Sequence, residues 1–109
     1  MRKKIYSYLG FAKRSGNLIT GYNACVHAMK KEKVKLLILA SDISENTRKK
    51  IIKESEKKTV PYRIFGKVDE MSQITGYEKR GIFGITDKNF SNIIAKEIDE
   101  ARSQEKEVF

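Results

Sequence analysis

The sequence predicts an α/β fold, a three-layer α-β-α sandwich around a four-stranded sheet, and three observations carry that expectation. Helical and extended patterns alternate along the whole chain, which places helices on both faces of a sheet. One stretch, Lys35 to Ala40, is apolar after its first residue, as in a strand covered on both sides. Single apolar stripes at helical spacing flank the strands, so each helix has one face to bury. Alternation of this kind, taken alone, implies a largely parallel sheet.

The first helix rests on Ile5, Tyr8, Leu9 and Ala12, spaced i, i+3, i+4 and i+7. Lys13 and Arg14 lead a basic turn that ends in the breaker pair Gly16-Asn17. Leu18 to Thr20 is apolar and β-branched and reads as a short strand. Thr20 is a candidate cap for a second helix, with Gly21 in its first turn. Tyr22, Cys25, Val26 and Met29 share that helix's inner face, and Lys30 and Lys31 fall in its last turn. After the strand Lys35 to Ala40, either Asp42 with Glu45, or Ser44 alone, caps a third helix reaching about Lys58. Ile51 and Ile52 point inward there, while Arg48, Lys49, Lys50, Lys53, Lys57 and Lys58 line the outside.

Pro61 opens the strand Tyr62 to Phe65, a first position where no ladder donor is needed. Val68 to Ile74 is a short helix, and Thr75 to Gly81 is a loop bracketed by glycines. Ile82 to Thr86 is the last strand. Asp87 caps a final helix with Phe90, Ile93, Ile94, Ile98 and Ala101 on one face. Residues 1–102 form one domain of ordinary size, and 103–109 form a polar tail expected to fray.

Charge narrows the function. The chain of 109 residues carries a net +9. Its first 35 residues hold nine bases and a single acid, Glu32, whereas residues 67–109 hold more acids than bases. Solubility alone requires no such segregation. An anionic partner, nucleic acid above all, does. A single cysteine excludes an internal disulfide, which favours a reducing, cytoplasmic setting. No apolar run is long enough for a signal peptide or a membrane span, so no membrane partner is expected. Without a heptad pattern or a second apolar helix face, a monomer is expected.

Catalytic constellations are missing from the pattern. There is no phosphate-cradling glycine-rich loop of the usual spacings. One histidine and one cysteine make no zinc set, and two residues apart on a helix Cys25 and His27 point in different directions. Cys25 reads as a buried filler. The expectation is a protein without cofactor or metal that is not an enzyme.

One run of residues carries more. Leu9-Gly10-Phe11-Ala12-Lys13-Arg14-Ser15-Gly16-Asn17-Leu18-Ile19-Thr20-Gly21 resembles a signature of the kink-turn-binding ribosomal protein family that includes large-subunit proteins seven-Ae and thirty-e. The likeness is strongest to that family's small bacterial members. Three further pieces follow in register: Lys35 to Thr47, Val60 to Tyr62, and Ile82 to Phe90. The resemblance spans about residues 3–98 and implies that the sheet is mixed rather than parallel. It also implies RNA binding, to ribosomal or kink-turn-containing RNA and through it to the ribosome. The RNA surface it implies comprises Lys13 and Arg14, the stretch Gly21 to His27 with Lys30, and the loop Thr75 to Gly81.

The chemistry of those residues suits the role. Gly16 and Gly21 allow close backbone approach, and a helix start near Gly21 offers N–H groups to phosphate. Asn23 either reads a base edge or braces its loop. Tyr77, beside Lys79 and Arg80, either stacks on an unpaired base or is an ordinary loop tyrosine. Ile43 and Ile74 read first as core. The sequence also departs from the family. Kink-turn readers follow Gly-x-Asn-Glu-x-x-Lys, and here Ala24 replaces the acid and His27 the lysine. The alternative function on the same scaffold is a protein-interaction module of the translation or ribosome-assembly machinery, using the acidic end with Glu97, Asp99 and Glu100.

Overall fold

The computed structural model describes residues 2–107, which form α1 (Arg2–Arg14), β1 (Leu18–Thr20), α2 (Tyr22–Lys30), β2 (Leu36–Leu39), α3 (Glu45–Lys57), β3 (Tyr62–Ile64), α4 (Val68–Thr75), β4 (Ile82–Ile85) and α5 (Lys88–Glu107). Every predicted element is present. The sheet order is β1-β4-β2-β3.

The sheet is mixed, so the largely parallel arrangement read from alternation alone is corrected. β2 pairs with β3 in parallel, and β4 lies between β1 and β2 antiparallel to both. The first three strands therefore share one direction, as a β-α-β-α-β chain should. The dissenting strand follows from α4. Leu39 is paired with Ile64 on one side and Ile82 on the other, so β3 ends and β4 begins at the same end of the sheet. The eight-residue α4 does not carry the chain back along the strands, and β4 must enter against them.

Two cores follow from the period-two alternation of buried strands. Leu36, Ile38, Phe83 and Ile85 face α1, α4 and α5, where Ile5, Leu9, Met71, Ile94 and Ile98 meet them. Leu37, Leu39 and Ile82 face α2 and α3 and pack on Cys25, Met29 and Ile51. Each fully buried aliphatic side chain of this kind contributes about 1.5–3 kcal/mol relative to exposure. Ile93 was expected with this core but is 39% exposed, because Ile94 and Ile98 already fill the stripe of α5.

Caps set the joints. α1 runs through Lys13 and Arg14, one turn further than the basic turn read from sequence. It ends in a Schellman motif in which Asn17 N–H donates to the Ala12 carbonyl (2.7 Å) and Gly16 N–H to that of Lys13 (3.0 Å). Thr20 does not cap α2. Its hydroxyl donates to the Ile82 carbonyl (3.2 Å), because Thr20 still belongs to the ladder opposite Phe83, and Gly21 is the cap. Ser44, not Asp42, caps α3 by accepting from Thr47 N–H (3.1 Å). Asp42 instead accepts from Val68 N–H at the start of α4 (2.9 Å). Asp87 caps α5 through Phe90 N–H (2.8 Å), as expected. α5 continues past Ser103 to Glu107, so that part of the predicted tail is helical, and Val108 and Phe109 lie outside the described residues.

Candidate nucleic-acid interface

The strand registers gather four loops at one end of the sheet. Thr20 stands opposite Phe83, and Leu39 opposite Ile64 and Ile82. The exits of β1, β2 and β3 and the entry of β4 therefore converge. Backbone bonds lock them: Gly21 N–H to Ile82 carbonyl (2.9 Å), Ala40 N–H to Gly81 carbonyl (2.8 Å), and Ser41 N–H to Gly66 carbonyl (2.8 Å). In open α/β sheets the crevice beyond the strands' carboxyl ends is the habitual ligand site. Here it holds a groove of about 290 Å³ bordered by Gly21, Tyr22, Ile43, Ser44, Lys79 and Arg80.

Two glycines make the groove. Gly21 sits at φ 100°, which L side chains rarely adopt, and a Cβ there would stand 3.0 Å from Arg80 Nη1. The guanidinium thus lies directly over the start of α2. No side chain caps that helix, and its leading N–H groups lack an acceptor from this source. A partial positive charge and a full one meet there, an arrangement that attracts an anion. Gly81 has an ordinary φ but no room: a Cβ there would collide with Ile43 Cγ2 and approach Val68 Cγ2 to 3.1 Å.

From Gly21 the exposed face of α2 continues the surface. Asn23, Ala24, His27 and Lys30 are all exposed. Asn23, His27 and Lys30 follow i, i+4 and i+7 spacing and form one stripe about 10 Å long. The opposite face is apolar: Cys25 is buried, its sulfur 3.7 Å from the Ile19 carbonyl, and burial raises its thiol to about 12. It is a filler, as expected.

In the loop that leads to Lys79 and Arg80, α4 ends on Gly76 in the left-handed region (φ 76°), and Tyr77 emerges 37% exposed. The Lys13 ammonium lies 5.0 Å from the centre of the Tyr77 ring, a cation–π contact joining α1 to the α4–β4 loop. Lys79 has φ 57°, strained for a residue with a side chain, at a cost of about 1–3 kcal/mol. Lys79 and Arg80 both line the groove.

The structure therefore brings together Lys13 with Tyr77, Arg80 with Gly21, and Lys79 with the groove, next to the Asn23-His27-Lys30 stripe. It does not bring Arg14 or Gly16 into that group. Arg14 folds back onto Phe11, 4.7 Å from the ring centre, and Gly16 closes α1 at the opposite end of β1 from Gly21. Phe11 was overlooked as a candidate. It is 52% exposed, and its one sequence signal was an aromatic lying off the Ile5-Tyr8-Leu9-Ala12 stripe. Tyr22, read as core, is half-buried against the core of α2 and α3 and also borders the groove, as does Ile43. Among the described residues no group of three or more His, Cys, Asp or Glu side chains could hold a metal, and no helix is long and apolar enough to cross a membrane.

Comparison with known proteins adds to this geometry. Residues 3–103 match the sequence profile of the ribosomal protein L7Ae/L30e/S12e/Gadd45 family. The chain is 37% identical over 91 residues to an RNA-binding protein YlxQ of Enterococcus faecium, covering 83% of this chain and 86% of that protein. It is 27% identical over 94 residues to the RNA-binding protein YlxQ of Bacillus subtilis strain 168, covering 86% and 94% of the two chains. A solved protein of unknown function from Bacillus halodurans superposes with a TM-score of 0.85 at 32% identity, over 88% of this chain and 97% of that one. A 15.5 kD RNA-binding protein of Giardia lamblia shares the fold, with a TM-score of 0.72 at 15% identity over 94% and 88% of the chains.

Proposed function

The chain belongs to the ribosomal protein L7Ae/L30e/S12e/Gadd45 family, and we propose that it binds structured RNA at the loop end of its sheet. The observation that carries this reading is the placement of Arg80 across the start of α2, which no side chain caps, at the rim of the groove. Phosphate is held by Arg80, Lys79 and the α2 N–H groups. An unpaired base stacks at Tyr77, with Lys13 behind the ring. Asn23, His27 and Lys30 extend the contact down α2. The curated relatives' description as RNA-binding proteins supports the same reading.

The RNA is read chiefly through shape and phosphate. Ala24 offers no acceptor to a guanine edge, and His27 and Lys30 supply donors in its place. Ribosomal RNA in the cytoplasm is the proposed setting, with the protein acting by binding rather than by catalysis. The protein-interaction alternative draws less support, because two of the acids it would use are engaged within the chain. Asp99 is paired with Arg63 at 2.8 Å, and Glu97 with Lys4 at 3.9 Å.

Titration of a model kink-turn RNA and a matched straight duplex, at about 50 and about 200 mM salt, tests the proposal. Tighter binding to the kink-turn means that the RNA's shape is recognised. Equal, salt-sensitive binding to both means backbone reading. Absence of binding to either refutes the proposal.

A further inference from the structure

The groove does not end at the sheet. Ser44 and Thr47, in the first turn of α3, border it, and α2 and α3 descend the same face of the sheet from that end. Along α3, Asn46, Lys49, Lys50, Lys53 and Lys57 recur at helical spacing and are all exposed, a stripe about 16 Å long. Asn46, Lys49, Lys50 and Lys53, with half-buried Ile52 and with Glu56, line a shallow concavity of about 520 Å³.

The charges on this stripe are incompletely answered. Lys49 pairs with Glu45 at 3.6 Å and Lys57 with Glu54 at 3.3 Å, both surface pairs of small net value. Among the described residues no ion pair engages Lys50 or Lys53. On the opposite layer, Lys4 and Arg63 do have carboxylate partners on α5.

Resting on the RNA-binding reading, we infer that the α3 stripe is a second RNA contact, which tracks the phosphate backbone of a helical stem leaving the groove. Continuity with the groove at Ser44 and Thr47 fixes the direction, and the unanswered lysines fix the chemistry. A duplex suits the stripe because an A-form helix is recognised through its regular phosphates and sugars, which a row of flexible ammonium groups reaches without base readout. The groove holds the irregular part of the RNA, and α3 holds the regular part.

The test uses the full chain and two synthetic RNAs that share one bulged core, one with a short flanking stem and one with a long stem. The double variant Lys50→Gln/Lys53→Gln, at exposed positions, should weaken the long-stem complex about 3- to 10-fold. It should also lower the slope of log affinity against log salt by about 1.5, the loss of two phosphate contacts. Its affinity for the short-stem RNA should stay at the wild-type value. Lys88→Gln/Lys96→Gln on α5, the same charge change on the other layer, should leave both RNAs unaffected. The inference is overturned by unchanged long-stem binding in the α3 variant, or by an equal loss on both RNAs or from both double variants. Failure of the unaltered chain to bind either RNA would instead overturn the parent proposal, and the α3 surface with it.

Discussion

The ammonium of Lys13 lies 5.0 Å from the centre of the Tyr77 ring, so the end of α1 and the loop before β4 hold each other. One face of the ring is occupied by the cation, and the side chain remains 37% exposed. Tyr77→Ala should therefore weaken RNA binding by about 1–3 kcal/mol, and Tyr77→Phe by much less, as measured by fluorescence anisotropy. The chain has five tyrosines and no tryptophan. Stacking at Tyr77 should thus also appear as quenched tyrosine emission, absent in Tyr77→Ala.

Gly21→Ala should be costly because alanine must hold φ 100°; its methyl would also meet Arg80 Nη1 at 3.0 Å, which the flexible guanidinium relieves by moving aside. Urea denaturation should show a loss of about 1–3 kcal/mol. RNA affinity should fall beyond that in Arg80→Ala, because both the guanidinium and the start of α2 are displaced.

For Gly81→Ala the reason is space alone. The methyl would collide with Ile43 Cγ2 and crowd Val68. Overpacking of this kind costs about 1–3 kcal/mol. The double variant Gly81→Ala/Ile43→Ala should recover part of it. A double variant no more stable than Gly81→Ala would place the strain elsewhere.

Asp42 accepts from Val68 N–H, tying the exit of β2 to the start of α4. Asp42→Ala should cost about 0.5–2 kcal/mol by thermal denaturation, and Asp42→Asn, which keeps an acceptor oxygen, far less.

Cys25 gives a pH-dependent signature. Burial raises its thiol from 9.0 to about 12, so above pH 9 the unfolded chain releases this proton while the folded chain keeps it. The unfolded state then binds fewer protons, and this group's contribution to stability falls as pH rises between those values. The difference in unfolding free energy between wild type and Cys25→Ala should shrink across that alkaline range. At neutral pH a thiol reagent should label Cys25 only as fast as the chain opens.

Much of the molecule was legible in the sequence because burial writes a period into the chain. Ile5, Leu9 and Ala12 marked α1, Asp87 marked the start of α5, and the apolar run after Lys35 marked β2. Strand direction was not legible from that pattern, since Ile82 to Ile85 alternates identically whichever way it enters the sheet. Caps were partly misread for a related reason. Thr20 and Asp42 have capping chemistry, but their partners, Ile82 and Val68, are distant in sequence and are supplied only by the fold. Among the candidate site residues, the family resemblance implied Lys13, Gly21, Tyr77 and Arg80, and the fold sets Lys13 against Tyr77 and Arg80 against Gly21. The resemblance also implied Arg14, and the need for close backbone approach suggested Gly16; the contacts of both are local to α1.

The position of β4 has a consequence for how the chain is made. It lies between β1 and β2, so until residues 82–85 leave the ribosome those two strands have no neighbour in common, and only β2 and β3 can pair. The nascent chain carries an open slot in the middle of its sheet and two half-built cores on either side. Pairing β4 closes contacts more than sixty residues apart, such as Thr20 with Phe83. Loop closure over that span is slow compared with local helix formation. Helices therefore form first, and the groove comes into being only in the step that fills the slot.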